Sequence, residues 1–311
     1  MTALLDVILP VFVVIAFGYG AARSGLFTDV AIDGIMRFAQ SFALPMLLFR
    51  SIASLDLAAS FQPGIMFSFY TGAFAGFGLG FGTARWLFGR PTPESVVIGF
   101  ACLFSNSLLL GLPITERAYG AEALSGNYAI ISIHAPLLYT FGILAMEWAR
   151  ATPGTTRAGL AAQVLRGVFT QPLVIGILCG FAVNFSGLAL PGFLAASVEM
   201  VARAGLPVAL FGLGGVLWRY HPEGERGLIA LICFAGLIVH PGLTYALGRW
   251  VFDLDIASQR SAVITAAMAP GVNAYMFAHL YGTGRRVVAS AVLISTALSI
   301  LTTWGWLHLL P

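Results

Sequence analysis

Residues 104–115, FSNSLLLGLPIT, set Ser105, Asn106 and Ser107 beside Gly111 and Pro113 inside an apolar run. Amide and hydroxyl side chains hydrogen-bond a solute without titrating. A proline removes one backbone donor and clashes with the preceding turn, which frees main-chain polar groups next to them. The first amides of the half-helix that follows, with the positive end of its dipole, suit an anion. A second stretch, AAMAPGVNAYMF at 266–277, carries Pro270, Gly271 and Asn273 in the same setting. The chemistry shared by the two is reversible binding of a small anion. A blander reading is that these polar side chains only tie helices together, as they commonly do in membranes. No nucleophile–base constellation, metal-ligand cluster or paired-Asp motif accompanies them, so neither enzymatic activity nor a metal or other cofactor is expected.

The elements around these stretches are set by composition. The 311 residues are 59% hydrophobic and 9% charged, against roughly one quarter charged in a soluble domain. That excludes a nucleic-acid-binding or soluble globular class and predicts an all-α integral membrane protein, whose solvent is the lipid bilayer. Apolar windows place ten spans near 4–22, 33–54, 64–84, 95–114, 128–148, 168–186, 195–217, 227–249, 259–281 and 287–309. The start, MTALLDVILP, lacks a basic segment and a cleavage site and reads as a retained span. Every basic residue is Arg; ten lie in connections after odd-numbered spans and three, Arg117, Arg249 and Arg260, after even-numbered ones. The positive-inside bias then predicts an inner (cytoplasmic) membrane protein with both termini outside.

A shift of 162 residues superposes the chain on itself. Pro10 falls on Pro172, Gly18 on Gly180, Ser24-Gly25-Leu26 on Ser186-Gly187-Leu188, and Leu44-Pro45 with Leu48-Phe49 on Leu206-Pro207 with Leu210-Phe211. Five spans per half is an odd number, so the halves must enter the membrane from opposite sides. The predicted domains are a first inverted repeat at 1–149, a cytoplasmic linker at 150–166 and a second inverted repeat at 167–311. Inverted repeats with interrupted helices at matching positions point to a secondary transporter whose site lies at the midplane. The two interruptions, in spans four and nine, would meet there.

FSNSLLLGLPITERAYG, AAMAPGVNAYMFAHLYG and RFAQSFALPMLLF together resemble the auxin efflux carrier family, which includes plant PIN auxin carriers and bacterial carriers proposed for malonate or malate. The resemblance runs over nearly the whole chain. It implies ten helices in two inverted five-helix repeats, with Pro-broken helices four and nine crossed, an architecture like that of NhaA and of bile-acid symporters. It also implies a scaffold of spans 1, 2, 6 and 7, a transport bundle of spans 3–5 and 8–10, and elevator-type alternating access. Asn106, Gly111 and Pro113 match the family's first crossover. The second departs from the PIN pattern, which has proline where this chain has Ala269 and Ala274, with Pro270 and Asn273 at neighbouring positions. The long cytoplasmic loop of many plant members is absent.

Arg50 and Arg203 lie within about five residues of the span-two and span-seven prolines and are candidate partners for a substrate carboxylate. Their alternatives are snorkelling for Arg50 and neutralisation by Glu199, four residues earlier, for Arg203. The transport spans hold no Asp or Glu away from their ends, so His134 and His240 are the groups available for proton coupling. Beside proline, each reads equally as a structural hydrogen-bonder. Gly72, Gly76 and Gly80 read as a helix-packing face, and Cys102, Cys179 and Cys233 as small hydrophobes. The expected function is transport of a small organic anion, a mono- or dicarboxylate, with a homodimer as the candidate assembly. The alternatives are a sodium-coupled organic-anion symporter and a membrane sensor that binds a metabolite without moving it.

Overall fold

Backbone polar groups in hydrocarbon must be satisfied within the chain, which favours helices. The computed structural model describes residues 3–150 and 157–311, and among them it is helical with no named strand. The helices are α1 (Leu5–Arg23), α2 (Asp29–Ala53), α3 (Pro63–Leu87), α4 (Thr92–Leu103), α5 (Leu112–Tyr119), α6 (Ala121–Arg150), α7 (Arg157–Phe169), α8 (Pro172–Ser186), α9 (Gly192–Trp218), α10 (Arg226–Trp250), α11 (Ile256–Ala266), α12 (Val272–Tyr281) and α13 (Arg285–Leu309). Seven of these, α1, α2, α3, α6, α9, α10 and α13, are long and apolar enough to cross a membrane. Within the segment read as a linker, residues 157–166 belong to α7, and 151–156 lie outside the described residues.

Proline shapes the local structure at recurrent places. Wide turns, closed one residue further back than in an α-helix, cover Ala3–Ile8, Ala39–Ala43, Ser107–Gly111 and Ala235–Val239. Each ends two residues before a proline: Pro10, Pro45, Pro113 and Pro241. A proline ring displaces the carbonyl four residues earlier, and widening the turn absorbs that displacement without ending the helix.

Helix packing uses glycine where backbones touch. In α1, a Cβ on Gly18 would run into the Phe211 carbonyl of α9; in α8, a Cβ on Gly180 would sit 2.8 Å from the Phe49 carbonyl of α2. Gly18 and Gly180 are mates under the 162-residue shift, and so are Phe49 and Phe211. The α1–α9 and α8–α2 contacts are one contact made twice. The glycine stripe of α3 behaves as a packing face: Gly72 lies on His240 and Thr244 of α10, and Gly76 and Gly80 on Cys102 of α4. All three cysteines are free, with Cys102 and Cys233 buried and Cys179 exposed.

The repeated contact predicts a stability difference. Gly18→Ala and Gly180→Ala each force a backbone shift costing about 1–3 kcal/mol, and lower the melting temperature of detergent-purified protein. Gly20→Ala, with nothing within 4 Å of the added methyl, leaves that temperature unchanged or raises it. Equal melting of all three variants is the outcome against this packing.

Candidate functional site

Both stretches with which the sequence reading began are interrupted. α4 ends at Leu103, the backbone is extended at Phe104, and the chain re-enters a wide turn at Ser107 that leads into α5. α11 ends at Ala266, and α12 begins at Val272 after Pro270 and an extended Gly271. The two interruptions touch. The Asn106 N–H donates to the Ala269 carbonyl at 2.8 Å, and Ser105 and Pro270 form an isolated antiparallel bridge. A Cβ on Gly271 would meet the Asn106 side chain at 3.3 Å, and one on Gly111 would lie 3.5 Å from Met268. Backbone groups released by each break are therefore partly satisfied by the other.

Around this bridge Asn127 of α6 donates to Thr115 Oγ1 of α5 at 3.1 Å and to Thr265 Oγ1 of α11 at 2.7 Å. It is fully buried and ties three elements together. Asn106 and Asn273 are different: neither side-chain amide forms a hydrogen bond with another described residue. Ser105 and Ser107 bond each other through their hydroxyls at 2.8 Å. Asn106, Asn273, Ser105 and Ser107 line a small central cavity with Phe104, Leu48 and His134.

That cavity continues into one of about 290 Å³, which shares Asn106, Leu108, Leu173 and Asn273 with it and adds Gln40, Gln171 and Tyr139. Gln40, Val272 and Met276 are shared in turn with a mouth of about 480 Å³ lined by Asp33, Arg37, Arg219, Tyr220 and Tyr275. Successive cavities thus share wall residues from the mouth to the asparagines. The inner two cavities carry no Asp, Glu, Arg or Lys on their walls. Any anion held there would be met by neutral amides, hydroxyls and the first-turn N–H groups of the broken helices.

Arg50 and Arg203 lie elsewhere. They line a separate cavity of about 560 Å³ with Glu116, Arg117, Glu199 and Pro113, and none of its lining residues is shared with the central cavity. Arg203 Nε donates to Glu199 Oε1 at 2.5 Å within α9, as the i, i+4 spacing suggests. Arg50 is paired across helices to the other oxygen of the same carboxylate. Leu44, Leu47, Leu109 and Leu112 belong to the apolar cluster lying among the elements that wall the two regions. Gly111 packs on the α11–α12 break and Pro113 faces the Arg50 cavity, so these two sit beside the central cavity without lining it.

The histidines separate as well. His134 is buried on the central cavity, its ring 4.6 Å from that of Phe104 and 5.6 Å from that of Phe69. His240 is buried on α10, its Nε2 3.2 Å from the Phe69 carbonyl, against the glycine face of α3. Gln40, Gln171 and Tyr139 were missed in the sequence. The available signal was a glutamine within an apolar span five residues before Pro45, and another immediately before Pro172.

A family model described as "Membrane transport protein" matches residues 3–307. The chain belongs to that family, the auxin efflux carrier family. Among its relatives is a putative malonate transporter of Rhizobium meliloti, 24% identical over 313 residues that cover 100% of this chain and 97% of the relative. Auxin efflux carrier component 5 of Arabidopsis thaliana is 22% identical over 337 residues, covering 95% of this chain and 93% of the carrier. The lysosomal cholesterol signaling protein of Mus musculus is 24% identical over 334 residues, which are only 38% of that longer protein. The family is one of multi-pass membrane transporters, and several helices of this member have the length and apolarity such a protein requires.

The bridge between the two breaks can be checked chemically. Residues opposed in an antiparallel pair have Cα atoms about 4.5–5.5 Å apart, within disulfide range. With the three native cysteines replaced by serine, Ser105→Cys plus Pro270→Cys forms a disulfide on mild oxidation, seen as a linked peptide by mass spectrometry. Failure to link under conditions that oxidise both thiols would show that the breaks do not meet in the membrane.

Proposed function

We propose that the chain is a secondary transporter that moves a small organic anion, a mono- or dicarboxylate, across a bacterial-type inner membrane. The observation that carries this reading is the pair of mutually bonded helix breaks beside two asparagine amides that bond to no other described residue, on the wall of a cavity. Polar side chains that only tie helices would be bonded to those helices, as Asn127 is. Amides left vacant in an apolar interior are suited to a ligand that brings its own acceptors.

In this proposal α1, α2, α8 and α9 form a scaffold. α3–α6 and α10–α13 form a moving bundle, and the two halves of the chain are inverted five-span repeats with both termini outside. The duplicated glycine contact of α1 on α9 and α8 on α2 supports that symmetry. The broken helices cross at the site, and the bundle carries it past the scaffold in an elevator-like exchange of access. The names of the relatives, a malonate transporter and an auxin carrier, favour a carboxylate. Arg50 and Arg203, drawn to Glu199, take no part in the central site in this conformation. His134 is the candidate for proton coupling, being the titratable group on the central cavity that belongs to the bundle.

A second reading, a membrane sensor that binds a metabolite without moving it, is favoured by the relative named a signaling protein. Flux decides between them. Proteoliposomes are expected to take up radiolabelled malonate or indole-3-acetate along its gradient; binding without flux would establish the sensor, and strict dependence on sodium a sodium-coupled symporter. Asn106→Ala and Asn273→Ala should each weaken carboxylate binding by about tenfold or more, the order of one lost hydrogen bond to a charged group, while the melting temperature of the unliganded protein stays near that of wild type. Unchanged affinity in both variants would remove the asparagines from the site.

A further inference from the structure

The central site is uncharged, yet its proposed solute is an anion. The charge that selects for anions must then come from elsewhere along the route. Three ionisable side chains of fixed charge line the mouth: Asp33, Arg37 and Arg219. Arg219, at the end of α9, donates from Nε to Asp29 Oδ1 at 2.8 Å and from Nη1 to Asp33 Oδ1 at 2.7 Å. Two carboxylates on one guanidinium leave that cluster with one net negative charge, and Arg219 has no nitrogen left over for a solute. Asp33 stands four residues before Arg37 on α2, the spacing of a helical ion pair, but its carboxylate is turned to Arg219. Arg37 is left with no hydrogen bond or ion pair to any described residue and remains exposed on the wall of the mouth.

The same face of α2 forms a track from the mouth inwards. Arg37 lines the mouth, Gln40 both the mouth and the second cavity, Leu44 the second cavity, and Leu48 the central one. At 1.5 Å per residue the track from Arg37 to Leu48 is about 16 Å long. A guanidinium reaches several ångströms from its Cα, so a carboxylate arriving at Gln40 is within its field.

Resting on the proposed transport of carboxylates, we propose that Arg37 is a specificity-determining residue of this chain: a guanidinium without a direct partner among the described residues, one helical turn nearer the central site than Asp33, that recruits the anionic solute and passes it along α2 to the neutral asparagine site. A unit charge about 10 Å from a carboxylate at intermediate dielectric is worth about tenfold in affinity. Salt at physiological strength screens charges over about 8 Å, so the contribution is sensitive to ionic strength.

The test uses the full chain in proteoliposomes with malonate and indole-3-acetate as probes, comparing wild type, Arg37→Gln, Arg37→Lys and Asn106→Ala. Arg37→Gln is expected to raise the KM for the transported carboxylate about tenfold with kcat changed less than about twofold. It should also flatten the rise of KM with added potassium chloride. Arg37→Lys should keep both the low KM and its salt dependence, and melting temperatures should match because Arg37 bonds to no described residue. An unchanged KM in Arg37→Gln, or an equal rise in Arg37→Lys, overturns the proposal. If Asn106→Ala loses the carboxylate while Arg37→Gln keeps the wild-type KM, the mouth assignment falls and the central site stands. If wild-type protein neither binds nor moves either probe, both fall together.

Discussion

A main-chain amide or carbonyl inside a bilayer has no water to turn to, and the structure depends on how this chain meets that demand at its two breaks. An isolated interruption would strand several polar groups in hydrocarbon at several kcal/mol each. Here the stranded groups meet, with the Asn106 N–H on the Ala269 carbonyl. Each break makes the other tolerable, and both require the helices bearing them to be held together by ties such as Asn127 between Thr115 and Thr265. What remains at the cavity is the pair of side-chain amides of Asn106 and Asn273, which bond to no other described residue.

Two further devices make that arrangement stable without rigidifying everything. Wide turns two residues before Pro10, Pro45, Pro113 and Pro241 let prolines stand inside long apolar helices. Glycines at Gly18 and Gly180 let backbones approach until a carbonyl fills the space of a side chain. Contacts of that kind draw on van der Waals packing, the main attraction left between helices when the solvent is itself apolar.

Charge is distributed with a consistent logic. Arg50 and Arg203 converge on Glu199 in one cavity, Arg219 gathers Asp29 and Asp33 at another, and the central cavity has no fixed charge at all. Ions in low dielectric are costly unless paired, so these pairs form where helices can bring opposite charges together. A neutral, dipole-lined centre can hold an anion without the deep well that a buried arginine would create, which suits a solute that must also leave.

The sequence by itself determined what is local. Apolar length set helices in a membrane, Pro270 marked one break, four-residue glycine spacing set a packing face, and the 162-residue shift exposed the mates Gly18 and Gly180. These follow from propensity and periodicity, which act over a few residues. Tertiary structure alone decided which groups became neighbours. Glu199 takes Arg50 from 149 residues away, Asp33 abandons its helical neighbour Arg37 for Arg219, and Asn127 ties while Asn106, of the same residue type, stays vacant. Gln40 and Gln171 reach the cavity only because α2 and α8 lie side by side. Such choices depend on distances between helices and on the rotamers available there, and no pattern along one strand of sequence encodes those quantities.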